Sequence, residues 1–457
     1  MNLAPKLSIH LKSLRIFMVL ALAMFASVVQ AQAQSISIIR DAEVEALIRN
    51  FATPLMKAAG MVRTNPRVYL VADRRFNAFV VEDGSIFVNY GTIIEVETPN
   101  ALKAVLAHEI GHVAGGHLAR LREQTEIHGR MQAAAMLLGI GAIIASSGGD
   151  ANSELGEVAS AFILASQSVG KNSLMSYRRS EESTADAAAL KLLENTGQSG
   201  KGMVDVLNTL GENQVTRSGA SPYLRSHPLA EDRLAQVAST AKKGNHWRRK
   251  DSQADVAALA RARAKLVGYL ESQQTTLNLF PNSNKSQAAR YARIITAYKS
   301  GAAIAAIAQM PKLIASAPSN PYFHELLGQM LYETGSASKA LGPLKTALTL
   351  APDETEIRKL YGQALVDAGG KKNLNEALAQ LNRATQEDRQ SARAFALLSR
   401  AYAVLGRQGD ASLAAAEAAL ARGDKGTALG LARKAQKELN ASSSAWLRAD
   451  DILSLDQ

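Results

Sequence analysis

The sequence predicts a mainly helical chain in two parts: an α+β domain with a small β-hairpin built round one helix, then an α-solenoid of paired helices. Three observations carry this. His108-Glu109-Ile110-Gly111-His112 lies inside an apolar-periodic segment, Pro99 to Ala114. Two short β-rich runs precede it, Arg67 to Ala72 and Ala78 to Asn89, the second broken by the turn Glu82-Asp83-Gly84. Beyond residue 288, small residues recur at offsets of 34.

Residues 1–33 read as a secretory signal peptide. Lys6, Lys12 and Arg15 give a positive start, Ile16 to Val29 is apolar, and Ala31-Gln32-Ala33 is a small-x-small cleavage site. The apolar run falls short of the roughly 20 residues that span a bilayer. An exported chain without cysteine is compatible with a bacterial periplasm. With no cysteine, the chain has no disulfide, no lipid-modified cysteine and no thiolate metal site. The net charge of +11, less the three of the leader, is +8 and scattered. That balance fits a solvated surface, and nucleic acid is excluded as the partner of an exported chain.

Asp41 to Met56 has helical spacing, with Val44, Leu47, Ile48 and Phe51 on one side. The alternation of Ile86, Val88 and Tyr90 predicts a strand ending near Gly91. Such a hairpin offers either a plain structural edge or an edge onto which an extended peptide can add. Thr98 suits a helix cap and Pro99 the first helical position, with Gly115 and Gly116 loosening the far end. On that helix His108 and His112 share a face. Two neutral imidazoles suit Zn2+ and leave room for a third ligand and a water whose proton Glu109 can take.

Ala133 to Ala145 carries no polar side chain over 13 residues. It reads as a helix buried or covering the site, with peripheral membrane contact as the alternative. Ser146 to Asn152 reads as a loop and Leu155 to Ser168 as a helix. Glu182 and Asp186 follow, spaced i, i+4, so a carboxylate there can be the third ligand while Asp186 orients a ligating histidine. Glu181 lies off that face, and a histidine ligand at 118 is excluded by Leu118. His227, in a loop set by Pro228, and Arg233 could stabilise an oxyanion. Alternatively, His227 could fill the fourth coordination position, or belong to an ordinary turn.

Residues 272–287 are polar and read as a linker between a 34–271 domain and a 288–457 domain. In the latter, Gly328, Ala340, Ala347 and Pro352 stand at the offsets of a tetratricopeptide repeat. Gly362, Ala377 and Ala384 start a second copy, and Ser399, Ala411 and Ala418 a third, with about three residues inserted near Gly369. Small residues let paired helices approach closely, and such stacks usually hold protein partners.

Together, His108, Glu109, His112 and His117, then Arg179-x-x-Glu182-x-x-Ala185-Asp186, then His227-Pro228 with Arg233, resemble the HtpX-like and CAAX-prenyl-protease zinc metallopeptidases. Asn77-Ala78, Gly84, Ile86, Val88 and Gly91 are similar to that family's hairpin. The resemblance implies a gluzincin, zincin-like fold with one zinc ion on His108, His112 and Glu182, and Glu109 as the base. It implies that Asp186 orients a ligand and that His227 faces the site. Arg178, Thr184 and Ala189 depart from the family, which commonly has serine, glutamate and glycine there. An exported member followed by repeats implies a periplasmic endopeptidase in quality control of misfolded or stalled outer-membrane proteins, reaching the barrel assembly machinery through its repeats. The competing expectation is a periplasmic chaperone or adaptor with a latent or structural zinc site.

Overall fold

A computed structural model describes residues 37–456 apart from 62–66, 82, 118, 122, 125, 128–175, 217–221 and 230. The segment expected to be a signal peptide, the apolar run Ala133 to Ala145 and the two segments that follow it lie outside the described residues. No helix among those described is long and apolar enough to cross a membrane.

The first half is helix α1 (Ala42–Ala58), a small sheet and the helices that cover it. The three longer strands are β1 (Val68–Val71), β2 (Ala78–Val80) and β3 (Ile86–Asn89). β3 pairs parallel with β1 and antiparallel with β2, so β2 lies at an edge. Alternation sorts the two faces: Leu70, Val80, Ile86 and Val88 are buried in the core, while Tyr69, Phe87 and Phe79 stack in a row on the other face. The strand expected to run to Gly91 stops at Asn89, where helix α2 (Tyr90–Glu95) begins. Tertiary contacts decide this. The Thr92 hydroxyl is hydrogen-bonded to both the N–H and the carbonyl of Asn77. Gly91 passes so close to the Arg74 carbonyl that a Cβ would lie 1.9 Å from its oxygen.

Helix α3 (Pro99–Ala114) carries the His-Glu motif. Thr98 accepts from Ala101 N–H at 3.1 Å, and Pro99 occupies the first turn, where its missing N–H is no loss. Its apolar residues Leu102, Val105, Leu106 and Ile110 are fully buried. A helix over 176–195 crosses it at Gly111, where a Cβ would come within 3.0 Å of the Ala185 carbonyl. Next come α4 (Lys201–Thr216), α5 (Pro222–Ser226), α6 (Glu231–Lys242) and α7 (Gln253–Leu270).

Within 272–287, residues Gln273–Leu279 form a short helix, α8, capped by Ser272. The repeat half is five helix pairs: α9 (Gln287–Lys299) with α10 (Ala303–Ala315), α11 (Pro321–Glu333) with α12 (Ala337–Leu350), α13 (Thr355–Ala368) with α14 (Lys371–Glu387), α15 (Ala392–Val404) with α16 (Gln408–Ala421), and α17 (Lys425–Glu438) with α18 (Ser444–Ser454). The small residues do what their spacing predicts. A Cβ on Gly328 would sit 2.4 Å from Leu344, and one on Gly362 would sit 2.7 Å from Leu381. Ser399 stands at the same place in the third copy, and its hydroxyl donates to the Ala411 carbonyl at 2.8 Å.

The two halves share helix α1. Asp41 caps it, and the Lys265 ammonium of α7 sits between Asp41 at 2.8 Å and Glu325 of α11 at 3.3 Å. Glu43 accepts from Tyr291 of α9 at 2.9 Å and pairs with Arg261 at 3.1 Å. Arg40 bridges Glu45 to Glu356 and Asp388, and Arg49 meets Glu354. Burial pushes Glu325 up to about 7 against the pull of Lys265, and it raises Glu43 as well. A carboxyl raised in the folded state binds more protons there than in the unfolded chain. Its contribution to stability is therefore present below the ordinary carboxylate range and is lost as pH rises through about 7. Thermal denaturation should accordingly show a melting temperature that falls between about pH 5 and 8. Glu325→Gln should flatten that slope, and an unchanged slope would detach it from this residue.

Candidate metal centre

The local sequence places each donor. The turn after α3, with Gly116 at φ 67°, lets the chain re-enter a helix at His117 and brings that ring back against His112. Gly115 clears the way, since a Cβ there would lie 2.4 Å from the His117 ring. On the 176–195 helix, Glu182 and Asp186 face α3. His227 leaves α5 with its N–H on the Tyr223 carbonyl at 2.7 Å and is turned inward by Pro228.

Four donor atoms converge. His108 Nε2 lies 3.0 Å from His112 Nε2, 3.3 Å from Glu182 and 3.3 Å from His227 Nδ1. Glu182 lies 3.3 Å from His112 Nε2 and 2.8 Å from His227 Nδ1. Ligands at zinc's usual ~2.0–2.1 Å in a tetrahedron stand roughly 3.4 Å apart, so these edges suit that ion.

Outer contacts orient the rings. His108 Nδ1 lies 2.9 Å from Asp186 Oδ1. His117 Nε2 lies 3.0 Å from Glu181, and its Nδ1 shares a hydrogen bond with His112 Nδ1 at 2.9 Å; Arg120 pairs with Glu181. In the Nδ1-protonated neutral form both Nε2 atoms would present lone pairs to each other and to a carboxylate, an arrangement that either a proton or a metal cation relieves.

Electrostatics agree. Burial lowers His108, but hydrogen bonds to Asp186 and Glu182 outweigh it and raise the ring to about 9, so the cluster favours positive charge there. Against burial, hydrogen bonds from His108, His112 and His227 hold Glu182 far below the usual carboxylate range. Burial keeps His112 and His227 low and neutral. Glu109 is pushed up by burial to about 7, opposed by His108 and His112 and by a hydrogen bond from the Tyr223 hydroxyl.

All the residues read from sequence come together, and one changes its part. Arg233 is expected at an oxyanion, but it is 5% exposed and committed to carboxylates. Its Nε meets Asp186 Oδ2 at 2.5 Å, one terminal nitrogen meets Asp186 Oδ1 at 2.8 Å, and the other meets Glu182 at 2.9 Å and the Pro228 carbonyl at 3.2 Å. An arginine so engaged holds Glu182 and Asp186 in place. Sequence reasoning missed Tyr223, whose ring centroid is 4.5 Å from that of His227. Its four-residue spacing from His227 was the available signal. A cavity of about 280 Å³ opens on the donors, lined by Asn77 to Val80 of the edge strand and by Glu109, Tyr177, Arg178 and His227.

Two histidines and a glutamate on one helix, opposed by a carboxylate from a second, define the site as that of a metallopeptidase. Residues 38–241 match peptidase family M48, and residues 285–421 match a tetratricopeptide-repeat model. Protease HtpX of Pseudomonas paraeruginosa is 30% identical over 209 residues, covering 39% of this chain and 67% of that protein. The chain belongs to peptidase family M48 and joins it to tetratricopeptide repeats. The beta-barrel assembly-enhancing protease of Escherichia coli K12 is 25% identical over 299 residues, covering 64% of this chain and 59% of its own. A putative beta-barrel assembly-enhancing protease of Vibrio cholerae is 27% identical over 205 residues, covering 45% and 40%. This chain thus spans about half the length of these two relatives.

Proposed function

We propose that this chain is a zinc-dependent endopeptidase of the periplasm that cuts misfolded or stalled outer-membrane proteins. In this reading its repeats contact protein partners such as the barrel assembly machinery. The observation that carries the reading is the convergence of His108, His112 and Glu182 beside a buried Glu109. Zinc held there would acidify a water and polarise the peptide carbonyl. Glu109 takes a proton from the attacking water and returns it to the leaving amine. Asp186 and the His117–Glu181 pair keep both imidazoles in the tautomer that offers Nε2. β2, at the sheet edge beside the cavity, can pair with an extended substrate. The test is degradation of an unfolded outer-membrane barrel protein by the purified chain. Cutting that is lost with a chelator and regained with zinc supports the reading, and binding without cutting favours a chaperone or adaptor.

One observation favours a resting state that is shut. His227 Nδ1 occupies the fourth donor position, where substrate and water must enter. His227→Ala is then expected to raise the rate of cleavage several-fold. A fall in rate would instead make His227 a participant in catalysis.

A further inference from the structure

Among the described residues that line the cavity is one cation that the chemistry above does not use. Arg178 lines it together with Glu109 and His227. It precedes Glu182 by four residues on the 176–195 helix, so it stands one turn away on the same face as the proposed third ligand. Its Nε is buried and has no hydrogen-bond partner. The acids around it are already engaged. Glu181 is held by His117 and Arg120, Glu182 by Arg233 and the histidines, and Glu109 by Tyr223. Arg179 next door is exposed and donates to the Ser176 hydroxyl at 3.0 Å, as a surface arginine does.

A buried guanidinium donor without an acceptor is a cost to the fold, and a planar carboxylate is the acceptor that matches it best. One helical turn separates Arg178 from Glu182, about 5–6 Å between Cβ atoms. An extended peptide advances about 3.3 Å per residue. A carboxylate gripped by Arg178 therefore lies within about two residues of the bond presented to the metal. Resting on the metallopeptidase reading of this site, we propose that Arg178 sets specificity by binding a substrate carboxylate beside the scissile bond. Both an acidic side chain and a free C-terminus supply that group.

The full chain and its Arg178→Ser, Arg178→Lys and Arg178→Glu variants would digest an unfolded outer-membrane protein, with cut sites mapped by mass spectrometry. Synthetic peptides spanning the strongest site would carry Glu, Gln or Lys at each flanking position, each with an acid or an amide C-terminus. The native chain is expected to favour the carboxylate peptide about 10- to 100-fold in kcat/KM. Arg178→Ser should bring the ratio near one, Arg178→Lys should retain part of it, and Arg178→Glu should shift the preference toward lysine. Dependence on the internal Glu names an acidic side chain, whereas dependence on the acid end names a C-terminus.

Equal cleavage of all peptides, with Arg178→Ser indistinguishable from native, overturns the proposal and leaves the peptidase standing. Binding of labelled peptides, followed by fluorescence anisotropy, needs no turnover. A preference for the carboxylate that is lost in Arg178→Ser, with no cutting by any chain, supports Arg178 and sinks the peptidase. Binding that ignores the carboxylate in all four chains also overturns the role of Arg178.

Discussion

Glu109→Gln is expected to give a folded protein that takes up zinc normally and hydrolyses peptide about 10²- to 10⁴-fold more slowly, the usual worth of a positioned base. Glu109 is 3% exposed and follows the first histidine of the motif, with its carboxylate 3.6 Å from His227 Nε2. Glutamine keeps the size of the side chain and an oxygen for the Tyr223 hydroxyl, but it cannot accept a proton from water. Zinc content by elemental analysis, the melting temperature and the rate should therefore separate, with only the rate falling. Should zinc be lost together with activity, Glu109 would have a structural part and the assignment of the base would fail.

Arg233→Ala is expected to cost about 3–5 kcal/mol of stability in the metal-free chain, because it strands two buried carboxylates. Asp186 and Glu182 are both within hydrogen-bond reach of this one guanidinium, and each is about 3% exposed. Zinc affinity should also drop about 10- to 100-fold, since Asp186 would no longer be held against His108 Nδ1. Urea denaturation and zinc titration measure the two effects. The double variant Arg233→Ala with Asp186→Asn should recover part of the stability, as removing one buried charge relieves the other. A loss below about 1 kcal/mol would place the pair among weakly contributing ion pairs.

How far the sequence could be read depended on how local each feature is. The motif helix was legible because capping residues, apolar period and histidine spacing all lie within Thr98 to Gly115. Glu182 and Asp186 were legible as an i, i+4 pair, and the repeats by the offsets of their small residues. The end of β3 was not legible, because Asn77 and Arg74 set it from the side. Neither was the Arg120–Glu181–His117 chain behind His112, which needs two helices brought together. Arg233 was legible as a residue near the site, but its carboxylate partners Asp186 and Glu182 were not, since they lie on another helix, with Asp186 47 residues away. Asp41, Glu43 and Glu45 are acids at a helix N-terminus, where the macrodipole alone would favour them. Their real partners are Lys265, Arg261, Tyr291 and Arg40.

Those partners give α1 an electrostatic role as well as a packing one. The first turn of α1 is held by Lys265 and Arg261 of α7 and by Tyr291 of α9, and its later residues Leu47, Ile48, Phe51 and Leu55 lie in the same core as Leu102, Val105 and Leu106 of the motif helix. α1 is therefore the shared wall of the two halves: the Lys265 ammonium ties its cap to Glu325 of α11, and its apolar face packs in the core of the histidine-bearing helix.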